Sequence, residues 1–342
     1  MKKRKKTPII LGVVFGIILI AVLGGWIYLR GVIQPPEVPN IPVATRPNET
    51  SNSAESGDEA TPPNIVQFEE RRPDFYTFVI FGLTEGMNAN TIMVAAYDAA
   101  TRQAYLISIP RDTRVDVVRN SRKIVSAYNV GRLGGGGHAG GVERLRYEIS
   151  TIVGFRPDFY ISIDYEAFVR MVDAVGGIEV YVPFHMRYDD PCQNLHIDLQ
   201  PGLQNLNGQD ALRFSRYRRG TSGISPTISD YQRIEHQQQV LAGVFRELLT
   251  PASILRIPEF ISIFNSYVDS DLATGELLWF ANQARSIGGI DALNLYTLPM
   301  TGTSGAPSWY ELANENGILE LVNRTINPFV RDITSNDIRI AR

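Results

Sequence analysis

The feature that most restricts the fold is an unbroken apolar run, FYTFVIFGL (Phe75 to Leu83). TIMVAAYD (Thr91 to Asp98) and AYLISIP (Ala104 to Pro110) follow it at hairpin-like separations. A strand with one wet face alternates polar and apolar residues, so a continuous run fits a strand buried on both faces. Such a sheet needs cover above and below. Further strand patterns at FYISID (Phe159 to Asp164), IEVYV (Ile178 to Val182) and LNLYTLP (Leu293 to Pro299) alternate with helical patterns. The helices are expected at about Gly140 to Val153, Tyr165 to Gly177, Asn207 to Arg213, Ser229 to Leu249, Pro258 to Phe264, Gly275 to Ile287 and Ile318 to Val330. This order predicts a layered α/β domain around a mixed sheet. The apolar fraction of 44% is enough for its core.

The N-terminal part reads differently. Residues 8–30 contain ILGVVFGIILIAVLGGWIYL, which carries no charge and is long enough at about 1.5 Å per residue to span a bilayer. Trp26 and Tyr28 fall where an aromatic belt would lie, and the basic tail of residues 1–7 places the N-terminus in the cytoplasm. A cleaved signal peptide is the rival; its apolar region is usually shorter, and no small-x-small site follows. The expectation is one transmembrane helix, with the rest extracytoplasmic. Residues 31–73, rich in Pro, Ser, Glu and Asn, read as a disordered stalk. A folded domain is expected over 74–299, with a C-terminal extension, 300–342, packed on it.

Several function classes are excluded. The formal charge is −3, and the five positive charges of the first six residues leave −8 for the remainder, so no basic surface for nucleic acid is evident. The lone Cys192 rules out an internal disulfide framework and a cysteine-based zinc site, and the four histidines lack metal-ligand spacing. The glycine-dense RLGGGGHAGG (Arg132 to Gly141) lacks the lysine and spacing of a P-loop and reads as a flexible lid or turn.

Against that acidic background the arginines stand out. Arg111 follows a strand and Pro110, with Asp112 beside it to hold the guanidinium. Arg216 and Arg218 are two apart, so on an extended segment they share one face. Arg233 opens a long helix carrying Gln237 to Gln239, at the end where a backbone already favours anions. Planar, permanently charged forks fit a phosphate or diphosphate best. A solvated basic patch is the alternative.

The order of these runs carries a resemblance. After the strands come SIPRD (Ser108 to Asp112), Lys-Ile-x-x-Ala-Tyr (Lys123 to Tyr128), D-x-Y-x-x-I-x-Y-x-x-F (Asp158 to Phe168), VDAVGGIEVYVP (Val172 to Pro183) and HIDLQPGLQNLNGQDAL (His196 to Leu212). Arg-x-Arg and the R-I-E-x-Q-Q-Q helix (Arg233 to Gln239) complete the set. From about Phe78 to Leu249 this resembles the LytR-CpsA-Psr family of cell-envelope phosphotransferases. The resemblance implies an α/β/α sandwich with a central mixed sheet and an apolar tunnel for a polyprenyl chain. It implies transfer of a glycopolymer from a polyprenyl-pyrophosphate carrier to peptidoglycan or another envelope acceptor, at the bacterial cytoplasmic membrane. Arg111, Arg216, Arg218 and Arg233 would then be catalytic, around the pyrophosphate, with Asp112, Lys123 and Gln237 binding substrate.

The same resemblance marks departures. Where the family carries Gly-x-Asp-x-Arg and then Arg-x-Asp-Thr, this chain has Gly82-Leu-Thr-Glu-Gly86 and Asn88-Ala-Asn90-Thr91. Thr84 and Asn90 thus replace the two aspartates that would carry Mg²⁺, and Glu85, one residue on, is the carboxylate left to hold the metal. His236 stands where the family often has arginine. A non-catalytic polyprenyl-phosphate-binding relative is therefore the alternative. A transcriptional regulator is opposed by the acidic ectodomain and the absence of a helix-turn-helix pattern.

Overall fold

The computed structural model of the chain describes residues 33–38, 70–84, 87–221, 223–250, 252, 256–284, 287–304 and 309–341. The apolar run forms strand β1 (Phe75–Leu83), followed by β2 (Ala89–Asp98), β3 (Gln103–Ser108) and β4 (Phe159–Ile163). Along β1, Phe75, Val79 and Phe81 enter one buried cluster, while Tyr76 and Phe78 enter another on the opposite face. This is the double burial its composition requires. The six-stranded sheet has the order Leu293–Thr297, β3, β2, β1, β4, Asp269–Ser270. β1, β2 and β3 form an antiparallel meander, whereas β4 runs parallel to β1 and Leu293–Thr297 parallel to β3. The sheet is mixed, and β1, β3 and β4 all end at the same edge.

Helices cover both faces. On one, Val142, Leu145 and Ile149 of the helix Gly137–Val153 pack with Ile318 and Val322 of the helix Glu315–Thr325. On the other, Trp279 and Phe280 of the helix Thr274–Ala284 meet Tyr76 edge-on at ring separations of 5.2 and 5.5 Å. Beyond the strand ends lies a third cluster, built from the helices Tyr165–Ala174, Gly208–Arg216 and Asp230–Leu248. It also includes the hairpins Ile178–Val182/Gly202–Leu206 and Met186–Asp190/Leu195–Leu199. Each of these helices starts at a side-chain cap. Asp164 accepts from the Ala167 N–H and Asn207 from that of Asp210, and Ser229 forms a reciprocal capping box with Gln232.

The structure bears on four local readings. The glycine-dense stretch holds a turn, as its composition suggests: Gly135 (φ +98°) and Gly137 (φ +57°) kink the backbone between the helices Ala127–Gly131 and Gly137–Val153, and the rest of the stretch opens the second helix. Its glycines permit close approach, since a Cβ on Gly131 would lie 2.2 Å from the Gly140 carbonyl oxygen. Phe214 to Arg216, read as extended, completes the helix Gly208–Arg216, and the chain becomes extended only at Tyr217. The hairpin Met186–Asp190/Leu195–Leu199 was not foreseen. Residues 33–38, placed in the stalk, pack on the domain, with Pro36 buried and Val38 against the Tyr76–Phe78 cluster.

The C-terminal residues are integral to the core. Ile326, Ile333 and Ile338 join the same cluster as Phe81, and main-chain bridges link Arg71 to Phe329 and Val115 to Ile340. The expected basic tail and membrane anchor (residues 1–30) lie outside the described residues, as does most of the stalk. Among the described residues no helix is long and apolar enough to cross a membrane.

Gly131→Ala is expected to force the backbones apart, costing about 1–3 kcal/mol and lowering Tm by roughly 3–10 °C. Gly134→Ala, with open space around the added Cβ, is the control and should leave Tm unchanged in the same melt.

Candidate functional site

At the edge where β1, β3 and β4 end, a cavity of about 670 Å³ opens between the sheet and the third cluster. This is where ligands gather in α/β sheets, because the diverging loops leave a crevice there. Its inner wall is apolar, with Phe168 and Met171 from one helix, Leu212 from the next, and Val240, Leu241 and Val244 from the long helix. The same lining carries Arg111, Arg216, Arg218, Arg219 and Arg233 together with Gln237, Thr84 and Asn90. Five guanidiniums and an apolar wall thus share one cavity, with the carboxylates of Asp164 and Asp190 beside them.

The arginines arrive from three directions. Arg111 follows β3 and is aimed by Pro110. Arg216 and Arg218 flank the end of the helix Gly208–Arg216, and Arg233 lies in the first turns of the helix Asp230–Leu248. That long helix is fixed to the sheet by Gln238, whose side-chain amide donates to Ser108 Oγ (3.0 Å) and to the Tyr296 carbonyl (2.9 Å). The Arg216 guanidinium lies over the Tyr165 ring, 4.5 Å from its centroid, and donates to Gln193 Oε1 at 3.4 Å. Stacking keeps its edge donors turned outward.

Asp230, which the sequence reading passed over, joins three of the guanidiniums. Its carboxylate accepts from Arg233 at 3.0 Å and lies 3.5 Å from Arg111 and 3.8 Å from Arg218. Arg233 is 7% exposed, and its Nε has no hydrogen-bond partner. Burial, followed by the charge of Arg111, lowers its pKa to about 10, while Asp230 opposes that fall. An i, i+3 pair at a helix start was legible in Asp230-Tyr-Gln-Arg233 and is the signal that finds it.

Asp112 and Lys123, assigned to substrate binding, do not line the cavity. They pair with each other at 2.8 Å, with Asp112 also 4.0 Å from Arg111, so they support the arginine loop from behind. The antiparallel strand pair Met300–Ser304/Tyr310–Ala313 braces the same loop. The Glu311 N–H donates to the Asp112 carbonyl, and the Glu311 carboxylate accepts from Tyr231 Oη at 3.0 Å. Tyr231, pushed up to about 12 by burial and then by Glu311, is held as a donor. Nothing in the sequence pairs these distant residues. His236, the substituted arginine position, faces Phe214 at a ring separation of 4.5 Å, and burial lowers it to about 4, so it adds no charge at neutral pH.

Only part of the expected metal site falls among the described residues. Thr84 and Asn90 line the cavity, but both are neutral oxygen donors, whereas a hard divalent cation is usually held by carboxylates. Among the described residues no group of three His, Cys, Asp or Glu side chains is placed to hold a metal ion. Glu85 lies outside the described residues.

The fold and cavity define a class: an α/β/α domain in which arginines and apolar side chains line one cavity beyond the strand ends. The chain belongs to the LytR_cpsA_psr family, whose sequence model matches residues 46–326. It is 25% identical over 252 residues to the regulatory protein MsrR of Staphylococcus aureus (strain COL), covering 72% of this chain and 69% of MsrR. It is 23% identical over 293 residues to the polyisoprenyl-teichoic acid–peptidoglycan teichoic acid transferase TagV of Bacillus subtilis, covering 82% of this chain and 70% of TagV. The crystal structure of B. subtilis TagV shares the fold with a TM-score of 0.60 at 20% identity, over 74% of this chain and 96% of that structure. TagT bound to LIIa-WTA gives 0.57 at 17% identity, over 74% and 89%.

Proposed function

We propose that the protein is a cell-envelope glycopolymer transferase that takes its polymer from a polyprenyl-diphosphate carrier and passes it to peptidoglycan or another envelope acceptor. The observation that carries this reading is the joining of five arginines and an apolar interior in one cavity. The diphosphate would sit among the guanidiniums and the polyprenyl chain along Phe168, Met171 and Leu241. TagV, a transferase by name, lends the reading its reaction class. In such a transfer an acceptor hydroxyl gives up its proton, to solvent or to the departing phosphate, as its oxygen bonds to the phosphorus bearing the polymer. The bond to the bridging oxygen breaks, and lipid monophosphate leaves with the electron pair. Arg111, Arg216, Arg218 and Arg233 would stabilise the charge that gathers on that leaving oxygen. Residues 8–30 would anchor the domain at the outer face of the cytoplasmic membrane, next to its lipid substrate.

A second reading, a binder of polyprenyl phosphates that does not turn them over, is favoured by the neutral Thr84 and Asn90 in the cavity lining. Thr84→Asp with Asn90→Asp is expected to raise Mg²⁺-dependent release of polyprenyl phosphate at least tenfold in the transferase reading; a flat response would disconnect these positions from the metal.

The cavity assignment has its own test. A polyprenyl diphosphate with a photoreactive group in its tail should label peptides containing Phe168 to Val172 and Val240 to Val244. Label confined to other segments would contradict it.

A further inference from the structure

The Asp230 carboxylate sits where the ligand's own charge is needed. One oxygen is hydrogen-bonded to Arg233, while the other has no hydrogen-bond partner and faces Arg111 and Arg218 at 3.5 and 3.8 Å. Those two separations are too long for hydrogen bonds, so Asp230 attracts both guanidiniums without satisfying them. The buried, unpartnered Nε of Arg233 points the same way: the cluster is assembled but not saturated. We propose that Asp230 is a positioning residue that also serves as an internal counter-anion, holding Arg111, Arg218 and Arg233 together and favouring a diphosphate ligand over a monophosphate. The inference rests on the diphosphate reading above and deepens it.

The physical argument is one of competition. Three guanidiniums packed in one cavity repel each other, and a fixed carboxylate offsets that repulsion while the site is empty. An incoming phosphate must share these donors with an anion already present at high effective concentration. A diphosphate, with more charge and more acceptor oxygens, reaches several guanidiniums at once and gains more than Asp230 withholds. A monophosphate reaches fewer and meets the carboxylate's repulsion. In a transfer that begins with a lipid diphosphate and ends with a lipid monophosphate, Asp230 would hold the substrate and help expel the product.

The test uses the full-length protein in detergent micelles, with farnesyl diphosphate and farnesyl monophosphate as probes in calorimetry. The wild-type protein is expected to prefer the diphosphate. Asp230→Asn, which keeps the shape and removes the charge, should bind the monophosphate roughly tenfold more tightly, the lower end of what one charge-assisted hydrogen bond contributes. The diphosphate-to-monophosphate preference should shrink by a similar factor. Asp230→Ser, also compatible with a helix start, should do the same. A merely structural role predicts equal weakening of both ligands, and that result, or an unchanged ratio, overturns the proposal. So does failure of both variants to fold in thermal melts. Wild-type binding of the diphosphate without preference overturns this inference alone, whereas binding of neither probe overturns the diphosphate reading with it.

Discussion

Replacing Arg216 and Arg218 together by alanine is expected to weaken binding of a polyprenyl diphosphate by about a hundredfold or more, with the fold intact. Each charge-assisted hydrogen bond to a phosphate oxygen is worth roughly 1.5–3 kcal/mol, and two such donors leave the cavity at once. Stability should barely change. Arg218 is 45% exposed and reaches Asp230 only at 3.8 Å, while Arg216 contributes a ring contact and one long hydrogen bond. Surface contacts of this kind are worth about 0–1 kcal/mol. Calorimetry with the lipid diphosphate, beside a thermal melt, separates the two effects. A folded double variant with wild-type affinity would remove these arginines from the site.

The second large effect concerns acid. His236 is buried against Phe214, and burial alone lowers its pKa from 6.5 to about 4. Between those values the unfolded chain binds the proton more readily than the folded one, so stability falls as pH drops from about 6.5 to 4. The loss accumulates to about 3 kcal/mol at the lower end, by the free energy of a shift of this size. Asp158 and Asp271, raised by burial, act in the opposite sense, because the folded state then takes up protons first. The informative quantity is therefore the difference between wild type and His236→Asn. Urea unfolding at pH 7 and pH 4.5 should show the wild-type protein losing about 2–3 kcal/mol more stability than the variant. Equal losses would mean that His236 is not neutral in the folded state.

Much of the architecture was legible because its causes are local. The continuous apolar β1 could only be a doubly covered strand, and the long helix expected from Ser229 does start there, with Ser229 as its cap. The arginines were legible for a different reason: fixed charges in an otherwise acidic chain have few places to gather, and Arg111, Arg216, Arg218 and Arg233 do line one cavity. Pairing was not legible. Asp112 and Lys123 owe their expected substrate role to the family resemblance; in the fold they pair with each other, a contact that no sequence spacing shows. Of the partners of Asp230 only Arg233, three residues on, was legible, since Arg111 and Arg218 come from other elements. Phe214 to Arg216 has strand-like composition, yet packing of Phe214 against the third cluster keeps it helical. The glycines of Arg132 to Gly141 signalled a loop by composition, while the close approach of Gly131 to Gly140 is a tertiary demand invisible in a single sequence.

The measurement that bears most directly on the whole account is turnover. The purified full-length protein in detergent would be given a polyprenyl-diphosphate-linked glycan and peptidoglycan, with and without Mg²⁺, and release of polyprenyl monophosphate followed together with transfer of the glycan. The account predicts that the two products appear in equal amounts and that both are lost in the Arg216→Ala, Arg218→Ala variant. Tight binding of the lipid with no release under either condition would contradict the transferase reading and leave a carrier-binding protein in its place.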